Sequence, residues 1–264
     1  MKVLVLTARN GSCMHGCLIC TFPVMIARMS ARSTKNGKQS RRITKQERGI
    51  TMQEYHKIET VFQRDMDGTK KLIEGEYRDE TVMFLSNCVW LWTEKVDGTN
   101  VRVHWDGHAV EFGGRTDKAN IPAPLVEKLN EYFGGETNAQ MFEQMFGEND
   151  VILFGEGYGA KIQSGGDYTD GTSVDFILFD VMVNDLYLKR ESVEDIAVTM
   201  GVDVVPVVHE GNISSAVDFV KSHPMSTLGN HKHEMEGVVG RPEVELRDRR
   251  GNRLIVKIKY RDFV

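Results

Sequence analysis

Alternating apolar and polar positions predict a β-hairpin in the first half of the chain. Residues 101–105 (Val-Arg-Val-His-Trp) have the period of two that is typical of a half-buried strand. Asp106 and Gly107 follow with the chemistry of a tight hairpin turn. Residues 109–112 are then expected to form the returning strand.

Helical spacing replaces this alternation further along the chain. Residues 125–146 carry apolar side chains at intervals of three and four, beginning with Leu125, Leu129 and Phe133. Gly134 and Gly135 interrupt the pattern, so two consecutive helices are predicted.

The remaining apolar segments complete an α+β pattern. Residues 53–63 are expected to form a short helix or strand, and helices are predicted at 193–200 and 213–222. Strands are predicted at 151–154, 174–183, 202–208, 236–240 and 254–260. Strands joined by turns, with helices grouped between them, favour an α+β fold with antiparallel sheets.

The first 51 residues differ from the rest in charge. They hold ten Lys or Arg and one acidic residue, giving +9, whereas residues 52–264 carry −14. Three interpretations stay open: a disordered basic arm, a mitochondrial transit segment, or a start codon placed too early with Met52 as the working start. We therefore expect an N-terminal extension at 1–51 and one domain at 52–264.

Composition limits the class of protein. The 264 residues are 41% hydrophobic and 27% charged, which is ordinary for a globular protein. No run of about 18 apolar residues exists, so no membrane partner is expected. The acidic body argues against broad electrostatic binding of nucleic acid, so any such hypothesis must rest on site residues.

The cysteines do not predict a disulfide scaffold. Cys13, Cys17 and Cys20 lie in the N-terminal extension, and Cys88 stands alone, so a reducing, cytoplasmic compartment is expected. The C-x₃-C-x₂-C spacing of the first three also occurs in iron–sulfur sites. Because it lies in the atypical extension, the metal interpretation is disfavoured.

Lys95 is the first candidate for a catalytic residue. It follows an apolar strand and precedes Asp97, Gly98, Thr99 and Asn100, the residues of a turn, so its amine is expected to enter a cleft. An ordinary lysine is protonated at neutral pH and must lose that proton to act as a nucleophile. Burial, nearby cations or a metal would favour this loss.

Two further lysines lie on one face of the last predicted strand. Lys257 and Lys259 alternate with apolar residues, and two like charges on one side of a strand favour an anion between them. Glu156 and Glu236 each stand beside a glycine at a strand end, where a carboxylate can contact a sugar hydroxyl or a divalent cation. Phe179 ends another apolar strand and offers a ring for stacking on a base.

Taken in order, these segments resemble the covalent nucleotidyltransferase superfamily of DNA ligases, RNA ligases and mRNA capping enzymes. Lys95-Val96-Asp97-Gly98 resembles the KxDG motif that carries the nucleotidyl-lysine. The four later motifs of the superfamily resemble the segments around Glu156, Phe179-Asp180, Glu236 and Lys257-Ile258-Lys259. The resemblance covers residues 52–264 and implies antiparallel sheets flanked by helices, with a nucleotide cleft between them.

Two details of the resemblance point to RNA ligases. Asn100 stands where many DNA ligases and capping enzymes have arginine, which resembles the phage ligases that seal nicked RNA and the trypanosome editing ligases. Arg115, in Phe-Gly-Gly-Arg-Thr, resembles their phosphate-contacting arginine. Asp97 departs from the relatives that have histidine at this position, so no single branch is indicated.

The resemblance implies a role for each residue. Lys95 would attack ATP and carry AMP, with Lys257 and Lys259 as catalytic residues that hold the phosphates. Glu94 would lie by the adenine through its backbone, Phe179 would stack on it, and Glu156 would bind the ribose. Asn100 and Arg115 would position phosphate, and Glu236 would assist Mg²⁺. The enzyme would join an RNA 5′-phosphate to a 3′-hydroxyl.

The chain stops a few residues after the last motif, where relatives continue into an OB or a helical domain. We therefore expect a minimal adenylyltransferase domain that depends on an accessory chain for substrate grip. A minimal ATP-dependent DNA ligase, a GTP-dependent capping enzyme and a non-catalytic nucleic-acid-binding module remain alternatives.

Overall fold

Two β-sheets line the two sides of a cleft, and helices cover their other faces. The computed structural model describes residues 52–163, 168–229 and 233–264. The chain divides into two units, Met1–Gly49 and Ile50–Val264, and every described residue belongs to the second. The expectations for residues 1–51, including the cysteine motif, lie outside the described residues.

The first sheet is mostly antiparallel. It contains β1 (Glu59–Thr60), β4 (Trp90–Glu94), β11 (Val207–Gly211), β12 (Gly237–Pro242) and β13 (Val256–Lys259). Their order across the sheet is β1-β13-β12-β4-β11, with only β1 and β13 parallel to each other among these pairs.

The second sheet is larger. It contains β5 (Thr99–Trp105), β6 (Val110–Gly113), β7 (Val151–Gly159), β8 (Val174–Val183), β9 (Leu186–Tyr187) and β10 (Asp203–Val204). Its order is β10-β8-β7-β5-β6, with β9 beside β8. A separate pair consists of β2 (Phe62–Arg64) and β3 (Leu72–Tyr77).

Among the described residues, five α-helices accompany these strands. They are α1 (Glu80–Phe84), α2 (Ala123–Phe133), α3 (Gly135–Phe146), α4 (Arg190–Met200) and α5 (Ile213–Lys221), and a 3₁₀ helix follows β13 at Tyr260–Asp262. Helices α2, α3 and α4 share a hydrophobic core with the second sheet, and α5 shares one with the first. This confirms the predicted α+β class with antiparallel sheets. None of the helices in the described part of the chain has the length and apolar character that a membrane crossing requires.

The predicted hairpin is confirmed, with one correction. Strands β5 and β6 pair antiparallel, and the Asp106 carboxylate accepts hydrogen bonds from the backbone N–H groups of His108 and Ala109. Gly107 has φ +91°, which glycine adopts without strain. Residues 101–105 are all buried rather than half-buried, because the strand lies between two neighbours and beneath α2 and α3.

Residues 53–63, expected to form a short helix or a strand, run extended into β1 and β2, which confirms the strand alternative. One other expectation needs correction. The single strand predicted at 202–208 is split between the two sheets, because Pro206 has no N–H to continue a ladder. The N–H of Val205 donates to Leu178 in the second sheet, whereas the carbonyl of Pro206 accepts from Glu94 in the first.

Candidate active site

All nine residues predicted from the sequence line one cleft of about 580 Å³ between the two sheets. The first sheet and the segments next to it contribute Glu94, Lys95, Glu236, Lys257 and Lys259, and the second sheet and its loops contribute Asn100, Arg115, Glu156 and Phe179. The structure therefore brings together side chains that span residues 94 to 259.

Lys95 lies directly after β4, where the chain leaves the first sheet. Its backbone N–H donates to the carbonyl of Gly237 at 2.9 Å. Gly237 has φ +156°, and a Cβ there would lie 2.1 Å from the carbonyl oxygen of Ile258, so only glycine fits this junction. This backbone contact fixes the position from which the Lys95 side chain enters the cleft.

Glu236 connects two of the predicted lysines. Its Oε2 atom accepts a hydrogen bond from Lys95 Nζ at 2.6 Å, and its Oε1 atom accepts one from Lys259 Nζ. Burial opposes ionisation of this carboxyl, but the charges and hydrogen bonds of the two lysines outweigh burial and lower the pKa of Glu236. The three side chains form a charged cluster in the cleft.

Lys257 lies beside this cluster on the same face of β13 as Lys259. Burial lowers the pKa of Lys257, and the neighbouring charges of Lys259 and Lys95 lower it further. The ammonium groups of Lys95 and Lys259 therefore bond to Glu236, and the charge of Lys257 adds to theirs in the same cleft. Such a local excess of positive charge favours the binding of a polyanion.

Glu156 enters the cleft from the opposite sheet. Burial raises the pKa of Glu156 to about 7; Lys95 opposes the rise, and the carboxylates of Glu236 and Asp97 add to it. Asn100 lies directly across from Glu156 in the register of β5 and β7, and its buried Oδ1 atom has no hydrogen-bond partner. A buried amide oxygen without a donor is costly, which suits a position that meets a ligand donor.

The Glu94 side chain is bound within the protein. The residue is 2% exposed, and its carboxylate accepts hydrogen bonds from the Ser226 hydroxyl and from the backbone N–H and hydroxyl of Thr227. Its backbone N–H donates to the carbonyl of Pro206 at 3.0 Å. The expected contact of the Glu94 backbone with adenine stays a prediction.

Phe179 lies on the wall of the cleft next to a buried polar network. Its ring packs edge-on against Tyr55 at 5.0 Å between centroids. The Tyr55 hydroxyl donates to Asp180 at 2.8 Å, and Arg253 donates to both Asp180 and Tyr55. Arg241 adds an ion pair with Asp180 at 3.5 Å. This network fixes the segment that carries the aromatic ring.

Arg115 is exposed at the edge of the cleft, in the loop after β6. The buried Arg102 side chain supports that loop, because it donates to the Gly114 carbonyl at 2.7 Å and to the Asp117 carboxylate at 2.9 Å. It also donates to the carbonyl of Met52. Arg102 thus ties the loop to the first described residues of the chain.

Four residues that the sequence patterns did not predict support the site: Tyr55, Arg253, Ser226 and Thr227. Each contacts a predicted site residue or its neighbour but lies far from it along the chain; Thr227 and Glu94 are 133 positions apart. The acidic and glycine-containing motifs give no signal for such partners.

The carboxylates of the cleft have the oxygen chemistry that Mg²⁺ prefers. No group of three or more His, Cys, Asp and Glu side chains in the described ranges is arranged to hold a metal ion. Both Glu236 oxygens are paired with lysine. Glu236 and Glu156 can supply part of a coordination shell, and the phosphate oxygens of a nucleotide would have to supply the rest.

Comparison with known proteins agrees with this geometry. The fold and cleft define an α+β domain equipped to hold a polyanion beside a lysine. The sequence model of the RNA ligase family matches residues 89–259, and the chain belongs to that family. A comparison with curated proteins found no match.

Solved structures of the Naegleria gruberi RNA ligase share the fold. An apo variant is 17% identical with a TM-score of 0.51 and covers 69% of this chain and 52% of its own. A variant with ATP and Mn is 16% identical with a TM-score of 0.51 over 69% and 54%. A variant with AMP and Mn is 16% identical with a TM-score of 0.52 over 68% and 52%. The present chain thus spans about half the length of the structures it matches.

Proposed function

We propose that this protein is an ATP-dependent RNA ligase that works through a lysyl-AMP intermediate at Lys95. The observation that carries the proposal is the Lys95–Glu236–Lys259 cluster, which lies in one cleft with Lys257, Glu156 and Phe179. The solved relatives named as complexes with ATP and Mn support the choice of nucleotide and of a divalent metal.

In the first step a neutral Lys95 amine attacks the α-phosphorus of ATP. A nitrogen–phosphorus bond forms, the bond from phosphorus to the bridging oxygen breaks, and pyrophosphate leaves. Lys257 and Lys259 offset the charge of the leaving group. Glu236 accepts a hydrogen bond from Lys95 Nζ, which positions the nitrogen in the cleft, and the proton that the nitrogen loses as the new bond forms passes to solvent or to the departing pyrophosphate.

In the later steps AMP moves to RNA. An oxygen of the RNA 5′-phosphate attacks the α-phosphorus and Lys95 leaves. A 3′-hydroxyl then attacks the activated 5′-phosphorus, AMP leaves, and a phosphodiester bond forms. In this proposal the Asn100 amide N–H₂ group and Arg115 donate to phosphate, Phe179 stacks on the adenine and Glu156 accepts from the ribose. Mg²⁺, held by Glu236 together with phosphate oxygens, would neutralise charge on the nucleotide.

Intact-protein mass spectrometry tests the first step. Incubation of the full chain with ATP and Mg²⁺ should add the mass of one AMP to the wild type and nothing to Lys95→Ala or Lys95→Arg. Parallel incubations with GTP and NAD distinguish the capping-type and NAD-dependent alternatives. No adduct with any nucleotide, from protein free of bound AMP, would exclude the enzymatic mechanism and favour the binding module.

Strand joining tests the second part. Labelled RNA and DNA of one sequence, each as a nicked duplex and as single strands with 5′-phosphate and 3′-hydroxyl ends, should show joining with RNA ends. Joining of DNA alone would support the minimal DNA ligase. Joining that needs an added cell extract would support the accessory chain.

The exposed free thiol of Cys88 fits the predicted reducing, cytoplasmic compartment.

A further inference from the structure

The arginines of the described residues fall into two groups. Six make an ion pair with a carboxylate: Arg64, Arg78, Arg102, Arg190, Arg241 and Arg253. Within the described part of the chain, the other five make none: Arg115, Arg247, Arg249, Arg250 and Arg261. Arg115 and Arg261 line the cleft, and the other three lie together on one hairpin.

This hairpin, residues 247–253, has a defined conformation. An isolated bridge joins Arg247 and Arg253, and Gly251 at the turn has φ +83°. The Asp248 carboxylate accepts hydrogen bonds from the backbone N–H groups of Arg250 and Asn252 and from the Asn252 side chain. The turn therefore presents its arginines on a backbone that is already ordered.

The carboxylates nearest to these arginines are already engaged. Asp248 is committed to the turn, and Glu245 binds Arg253 through both of its oxygens, at 2.5 and 2.9 Å. Glu243 is the remaining acidic side chain of the segment, and it is exposed. The exposed guanidinium groups of Arg247, Arg249 and Arg250 thus carry positive charge that the hairpin itself does not neutralise.

The base of the hairpin is attached to the cleft. Arg253 lies over the ring of Tyr187 at 3.8 Å and bonds to Asp180, and Arg241 and Ile255, which flank the hairpin, line the cleft. The charge of Arg247 acts on His56, another residue of the cleft lining. Three unpaired arginines therefore extend from the rim of the site on an otherwise acidic body.

We propose that the hairpin of residues 247–253 is a second contact for the RNA backbone, in which Arg247, Arg249 and Arg250 bind phosphates outside the cleft. The proposal rests on the proposed function, because the RNA must also reach Lys95. Arginine binds phosphate through paired N–H groups, and phosphate contacts set register without reading sequence. An ordered turn loses little freedom when it binds.

Salt-dependent RNA binding tests this contact. The probe is a fluorescent nicked RNA duplex with a 5′-phosphate, titrated with full-length protein at several KCl concentrations. The variant Arg247→Gln/Arg249→Gln/Arg250→Gln is compared with Lys70→Gln/Lys71→Gln/Lys128→Gln, which removes the same charge outside the cleft lining. Self-adenylylation without RNA is measured for both, because the hairpin should not affect it.

The arginine variant should bind RNA about tenfold more weakly or worse than the wild type. The slope of its plot of log Kd against log [KCl] should be smaller by about two to three. The lysine variant should keep the wild-type slope. Equal slopes for both variants would overturn the hairpin contact while leaving the proposed function intact. Wild-type protein that neither adenylylates nor binds RNA would overturn both. If the arginine variant bound polyglutamate more weakly than the wild type but bound RNA equally well, the hairpin would be assigned as a contact for an acidic protein instead.

Discussion

Glu156 and Glu236 lie in the same cleft, yet their surroundings shift their pKa values in opposite directions. Burial acts on both carboxyls. Glu236 has hydrogen bonds from Lys95 and Lys259 that overcome burial and lower its pKa. Glu156 has no such partner, and burial raises its pKa to about 7. One carboxyl is therefore ionised at neutral pH, whereas the other is poised between its two forms.

Glu156 makes stability depend on pH. Its folded pKa of about 7 lies above the ordinary 4.5, so between these values the folded protein binds more protons than the unfolded chain. Stability contributed by the protonated form is present below about pH 4.5 and is lost as pH rises through 7. Glu156→Gln should therefore gain about 1–3 kcal/mol over wild type between pH 5 and 8. Urea denaturation of nucleotide-free protein measures this difference. The exposed Glu127→Gln variant should follow the wild-type dependence of stability on pH. If the stability of Glu156→Gln varied with pH in parallel with that of the wild type, the assignment of the raised pKa to Glu156 would be refuted.

Thr227 stabilises Glu94, the residue before Lys95. Its hydroxyl and its backbone N–H both donate to the buried Glu94 carboxylate, at 2.8 and 3.0 Å. Thr227→Val removes the hydroxyl and should cost about 1–3 kcal/mol of stability, because a buried charge loses a donor. Because Glu94 adjoins Lys95, self-adenylylation should also slow. Thr227→Ser, which keeps the hydroxyl, should restore both thermal stability and adenylylation rate; a Val variant that matches wild type in both would show that the contact is dispensable.

At the level of elements, the connections between the two sheets determine the shape of the cleft. The chain passes from the first sheet to the second between β4 and β5, next to Lys95, and passes back between β10 and β11. The second passage runs through Val205 and Pro206, whose backbones bond to opposite sheets. The valine-rich run of residues 202–208 predicted a single strand, and only the proline marks the point where the sheet changes.

The centre of the first sheet requires a residue without a side chain. A Cβ on Gly240 would lie 2.2 Å from the ring of the fully buried Trp92 on β4. Gly240→Ala should therefore destabilise the fold by about 1–3 kcal/mol through overpacking. A double-mutant cycle with Trp92→Leu, followed by thermal denaturation, should show that the alanine costs less once the ring is removed. Additive effects would mean that the ring is not the cause.

Sequence patterns predicted the elements better than the contacts between them. The break at Gly134, the hairpin at Asp106 and most strands of the cleft were predictable, because local periodicity and turn chemistry determine them. The position of Lys95 followed from its apolar strand and polar turn. The network of Tyr55, Asp180 and Arg253 did not, because side chains distant along the chain meet only after the sheets have formed.

Across the whole molecule, charge is divided between an acidic body and a few cationic surfaces. Residues 52–264 carry −14, yet the described part of the chain holds the lysine cluster in the cleft and five unpaired arginines at its rim and on the hairpin. Diffuse attraction to RNA should therefore be weak, and the proposed RNA binding should depend on a small number of local contacts. Contacts of exposed arginines with phosphate are screened by salt far more than interactions within a partly buried cleft.

Salt should therefore affect RNA joining far more than self-adenylylation. If the five unpaired arginines each contact a phosphate, raising KCl from 50 to 200 mM should weaken binding to a nicked duplex roughly five-hundredfold, because each contact releases counterions. Self-adenylylation by ATP occurs inside the cleft and should change only a few-fold over the same range. Single-turnover measurements of the lysyl-AMP adduct, and of joining at limiting RNA, give the two salt dependences from one preparation. Joining that falls no faster than adenylylation would mean that RNA is held by contacts other than these arginines.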